Sequence, residues 1–148
     1  MFRKLHKTNQ YRRKGRNLIA ANKIKPEQWD ISKSEAKEAL KAKGYDVKQI
    51  KKIHHLKHQV CISFWDAKCN VCSSFFSYRI FARWRREVEN LIYCCQNLKE
   101  WAKLNHLMQY EFAYYNYPSE IENTLDTKLE NHLRMLNATE RQAVFQVV

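Results

Sequence analysis

Residues 45–84, YDVKQIKKIHHLKHQVCISFWDAKCNVCSSFFSYRIFARW, form the stretch whose reading decides the fold. It holds neither glycine nor proline, and that scarcity continues as far as Tyr117. Val47, Ile50, Ile53 and Leu56 are each three residues apart, as on one face of a helix. From Trp65 the large apolar residues run through Cys69, Cys72, Phe76, Ile80, Trp84, Val88, Leu91, Cys95, Leu98, Trp101, Leu104, Met108, Phe112 and Tyr115. Every step is three or four residues, so the period predicts helix throughout. One helix of about 50 residues is unusual in a small domain, so at least one break is expected, near Ser73-Ser74 or Gln96-Asn97.

Upstream, Ser32 and Glu35 fit a capping box, in which hydroxyl and carboxylate each satisfy a free backbone N–H. Ala36, Ala39 and Leu40 make a short apolar strip, and Gly44 stands where a left-handed residue ends such a helix. Asp46 is placed to cap a second helix. Residues 32–58 are therefore expected to form helix, tight turn, helix. With Leu40, Gly44, Ile50 and Ile53 at its fixed places, this segment resembles a helix-turn-helix DNA-binding motif. The resemblance covers those residues alone. It implies that the second helix enters a major groove and presents Lys48, Lys51, Lys52 and His55. An ordinary helical hairpin with a solvated lysine face is the competing reading.

Downstream, Pro118 stops the long run. Ser119 with Glu122 repeats the capping pattern, Ile121, Leu125, Leu129, Leu133 and Leu136 form a stripe, and Asn137 with Glu140 opens a last segment. The fold class expected is all-α: a small helical bundle with a basic, partly flexible N-terminal arm and a helix-turn-helix-like hairpin. The arm is 1–26. A single helical domain fills 27–148, with the hairpin at 27–60, aromatic-rich helices at 61–117 and C-terminal helices at 118–148.

Charge supplies the functional signal. The 148 residues carry 27 Lys and Arg against 15 Asp and Glu, a formal net charge of +12. Residues 1–26 hold nine bases and no acid. Arg3, Lys4, Arg12, Arg13, Lys14 and Arg16 are candidate phosphate contacts, with Tyr11 able to stack on a base. A solvated run or an import signal is the plainer alternative. An apolar content of 45% excludes a wholly disordered basic chain, and two glycines exclude a glycine-rich phosphate loop.

The five cysteines, with Cys94 and Cys95 adjacent, make a poor disulfide framework. A reduced, cytoplasmic location is expected, with no secretory signal and no apolar stretch near the roughly 18 residues that span a bilayer. His54, His58, Cys69 and Cys72 have spacings compatible with a Cys₂His₂ zinc site, but the two cysteines fall on the apolar stripe, and the core reading is favoured over zinc. No metal ligand or cofactor is assigned. Glu87, Glu89, Glu100, His106 and His132 form no catalytic constellation, so no enzyme is expected.

The expectation is a nucleic-acid-binding protein, a small DNA-binding accessory or regulatory factor, with DNA favoured over RNA. A module binding an acidic protein or plugging a nucleic-acid channel is one alternative. An RNA-binding subunit of a larger particle is another. The aromatic run, including Tyr114, Tyr115 and Tyr117, and the C-terminal helices offer a homodimer or partner contact. No membrane partner is expected.

Overall fold

The computed structural model describes residues 17–147, and their side chains as far as Gln142. Arg3, Lys4, Arg12, Arg13, Lys14 and Arg16 lie outside the described residues. Helix α1 (Lys33–Ala42) is followed by strands β1 (Gln49–His55), β2 (Gln59–Trp65) and β3 (Val71–Ser77). Helices α2 (Ala82–Tyr93), α3 (Leu98–Tyr114) and α4 (Ser119–Val147) complete the order. The chain divides into two compact units. One is Ile24–Arg85; the other joins the described residues up to Lys23 to those from Arg86 onward, so the boundary falls inside α2.

The all-α expectation is overturned by a three-stranded antiparallel sheet, ordered β1-β2-β3, so the fold is mixed α and β. The supposed second helix of the hairpin is β1, which removes the helix-turn-helix-like reading. Two features disguised the strands. A bulge lies between Ile50 and Lys52 on β1, so Ile50 and Ile53 share a face although three residues separate them. That irregularity imitates a helical step. Secondly, the β2–β3 turn uses no glycine. The Asp66 carboxylate accepts from the Lys68 and Asn70 N–H groups, both at 2.9 Å. Cys69 takes the left-handed conformation, φ 64°, that glycine usually fills. The alternation was nevertheless present in β2: Val60, Ile62 and Phe64 are buried, while the residues between them are partly exposed.

Within Ile24–Arg85, α1 begins as its sequence dictates. Ser32 Oγ accepts from Glu35 N–H at 3.0 Å. The Glu35 carboxylate does not complete the box. Arg83 takes it through Nε at 3.1 Å and Nη2 at 2.7 Å. At the other end Gly44, φ 95°, donates to Lys41 O, and Tyr45 N–H donates to Leu40 O, which closes a Schellman motif. Ala36, Ala39 and Leu40 are buried, and α1 packs beside β1. Tyr45 meets Phe64 and Phe76 edge-on across the same sheet face. Trp29 lies edge-on to Tyr78, Phe81 and Trp84, with the Arg83 guanidinium 5.4 Å from its ring. Burial pushes the Tyr78 phenol up to about 12, with Glu27 adding to the effect.

In the other unit, the expected arm is partly core. Leu18 and Ile19 are buried, and Leu18 N–H donates to the fully buried Glu111 carboxylate at 3.0 Å. Tyr117 Oη donates to the other Glu111 oxygen at 2.6 Å. Val88 and Ile92 of α2, Leu104, Met108 and Phe112 of α3, and Leu125, Leu129 and Leu136 of α4 supply the apolar interior. The break expected near Gln96-Asn97 is present: Asn97 Oδ1 accepts from Glu100 N–H, and Glu100 Oε2 accepts from Gln96 N–H. The break expected near Ser73-Ser74 is instead the middle of β3. α4 runs through Asn137 without interruption.

Candidate nucleic-acid interface

Antiparallel register sorts the strand residues onto two faces. The covered face carries Ile50, Ile53, Val60, Ile62, Phe64 and Phe76, the residues that pack toward α1 and Tyr45. The opposite face is open, and none of its side chains is buried. Three of its rows cross all three strands, and Gln59 pairs with Ser77 beyond them. Gln49 pairs with Trp65 and Trp65 with Val71; Lys52 pairs with Ser63 and Ser63 with Ser73; His54 pairs with Cys61 and Cys61 with Phe75.

Phe75 is 57% exposed and Val71 54%, which is high for apolar residues in a sheet. Lys51, the bulge residue, holds its ammonium 5.7 Å from the Trp65 ring centroid. That contact places Lys51 with Trp65 on the open side. Between the aromatic positions, Ser63 Oγ and Ser73 Oγ are hydrogen-bonded at 2.8 Å. Lys48, just before β1, donates through Nζ to Cys69 Sγ at 3.3 Å, and its N–H donates to Trp65 O.

The structure thus brings Lys48, Lys51 and Lys52 to one region, but by a strand and not by a helix. His55 goes elsewhere. It belongs to the covered face, stacked at 6.3 Å on Tyr78, with its Nε2 buried and unpartnered. His54 replaces it on the open face. From sequence, Trp65, Phe75, Ser63 and Ser73 have no assigned nucleic-acid role; the two aromatics belong only to the run offered as a partner contact. For Trp65 and Ser63 the signal is the alternation Gln59-Val60-Cys61-Ile62-Ser63-Phe64-Trp65, with every second residue left for solvent; β3, with its Ser73-Ser74 and Phe75-Phe76 doublets, offers no such pattern for the other two.

The four zinc candidates are not assembled. His54 pairs in register with Cys61, whereas Cys72 pairs with Phe64, three residues along β2. That offset alone separates His54 from Cys72 by about 10 Å along the strands. Among the described residues no group of three or more His, Cys, Asp or Glu side chains is placed to hold a metal. Nor do these cysteines serve as helix core: Cys69 is an exposed turn residue and Cys72 is partly exposed.

The charge of this unit is strongly positive. Residues 24–85 carry 13 Lys and Arg against six Asp and Glu, a net +7. None of the three strands contains an acidic residue. A separate cleft of about 360 Å³ lies in the other unit, lined by Lys23, Leu91, Cys94, Cys95, Glu100, Lys103 and Leu104. Burial pushes the Cys95 thiol up, so the cleft holds no activated nucleophile there. No described helix is long and apolar enough to cross a membrane. Comparison of the chain with family models, with curated proteins and with solved structures finds no match.

Proposed function

We propose that this chain is a nucleic-acid-binding protein that holds a phosphate backbone on the open, acid-free face of its sheet. The observation that carries this reading is the grouping of Lys48, Lys51 and Lys52 at one edge of a sheet whose strands contain no carboxylate. Cations placed this way neutralise phosphates and release condensed counterions. The nine bases of residues 1–26 add to the same attraction. An accessory or regulatory role in a reduced, cytoplasmic compartment belongs to the same reading.

A salt series tests it. Labelled RNA and DNA, single-stranded and duplex, are titrated with the full chain while anisotropy is followed at several salt concentrations. Binding should weaken steeply with salt. Replacing Lys51 and Lys52 with Gln should flatten the single-strand slope of log K against log[salt] by about 1.4, from two lost phosphate contacts. The arm variant with Gln at Arg12, Arg13, Lys14 and Arg16 should flatten it separately. No binding to any polynucleotide in dilute buffer, with capture of an acidic protein instead, would overturn the reading.

A further inference from the structure

The open face also has a shape that charge alone does not need. We infer that it is a stacking platform for single-stranded RNA, with Trp65 and Phe75 each taking one base. This deepens the nucleic-acid reading and rests on it.

The argument begins with position. Trp65 is in register with Val71, and Phe75 lies four residues further along β3. Strand rise and strand spacing put the two residues about 14 Å apart. A single base cannot bridge that gap, so the two rings address different bases of one strand. Phe75 is 57% exposed, and Trp65, though more covered than Phe75, is not buried. Both therefore present ring area to solvent on the side away from the core.

A polar patch lies between the rings. Ser63 and Ser73 face each other, flanked by Lys52 and by Cys61. Each hydroxyl can donate and accept, as a ribose 2′-hydroxyl does, so this pair matches RNA better than DNA. Lys51 and Lys52 flank the rings on the β1 side, where a backbone would pass. Lys51 now sits over Trp65; a base stacking on that ring would leave its ammonium to a phosphate.

Duplexes do not suit this surface. Paired bases are stacked on one another and cannot reach an aromatic side chain, whereas a single strand splays its bases outward. Charge complementarity and exposed rings together thus select a flexible polynucleotide.

The test uses the full chain with short labelled RNA, DNA of the same sequence and a duplex of that sequence. Single-stranded RNA should bind most tightly. Trp65→Ala and Phe75→Ala should each weaken it about tenfold, as for loss of one base stack, and leave duplex binding within about twofold. Trp65→Phe should keep most of the affinity. RNA should quench part of the tryptophan fluorescence of the parent chain and less of it in Trp65→Phe. Urea midpoints and circular dichroism report folding; should Trp65→Ala fail there, Phe75→Ser at an exposed site carries the test. Equal binding of single strands and duplex, unchanged by the alanine variants, would overturn the platform while leaving the basic-surface reading intact. Equal affinity for single-stranded DNA would overturn the assignment to RNA. Binding to no polynucleotide would remove both readings together.

Discussion

Two positions in Ile24–Arg85 have left-handed backbone next to an ordered element, and they make opposite demands on the side chain. Gly44, φ 95°, ends α1 with open space around its Cα hydrogens. Space does not help an added methyl there, because the strain comes from the residue's own backbone. Gly44→Ala should lower unfolding free energy by about 1–2 kcal/mol. Cys69 occupies the same kind of conformation, φ 64°, with a side chain that glycine would lack. Cys69→Gly should raise stability by about 0.5–1 kcal/mol, after the extra chain entropy of glycine is allowed for. Urea denaturation of both variants, compared at equal slope, checks the two signs. Gly44 was legible in the sequence because glycine is the common solution at a helix end. Cys69 was not, because a cysteine three residues before another suggests metal or core before it suggests a turn.

The sheet explains why a regular spacing misled at the level of elements. β1 has one extra residue relative to β2, and Lys51 is the residue inserted. Removing Lys51 leaves Ile50, Lys52 and Ile53 alternating in, out, in, so the buried face is preserved. Its deletion should change stability by less than about 1 kcal/mol and leave the circular dichroism spectrum in place. β2 gives the contrast. Deleting Ser63 makes Ile62 and Phe64 neighbours, and one of the two must then turn to the open face. That deletion should cost about 3 kcal/mol or more, from apolar side chains taken out of the core. Equal effects of the two deletions would count against the bulge. The caps of α1 and α3, by contrast, follow from local chemistry. Ser32 and Asn97 each offer an oxygen to an N–H three residues on, and no distant partner is needed.

At the scale of the whole molecule, one buried phenol couples stability to alkaline pH. Tyr78 is fully buried and its Oη donates to Leu56 O at 2.6 Å. Its folded value of about 12 lies above the ordinary 10.0. Between those values the unfolded chain releases the proton and the folded chain retains it, so stability falls as pH rises. The contribution is whole below pH 10 and is lost through pH 12. Tyr78→Phe should flatten that part of the profile, read from urea midpoints at successive pH values. The sequence by itself determined the charge asymmetry, the helix over Lys33–Ala42 with its glycine stop, the break near Asn97 and the apolar stripe of the last helix. All of these are set within a few residues by hydrogen-bond caps, backbone sterics and a steady period. Only the tertiary structure decided that residues 49–77 are strands, that Lys51 and Lys52 share a surface with Trp65 and Phe75, and that Leu18 and Ile19 leave the basic arm for the core. Strand pairing, the side of the sheet a residue takes and the burial of Glu111 beside Leu18 depend on partners distant in the chain, which local spacing does not encode.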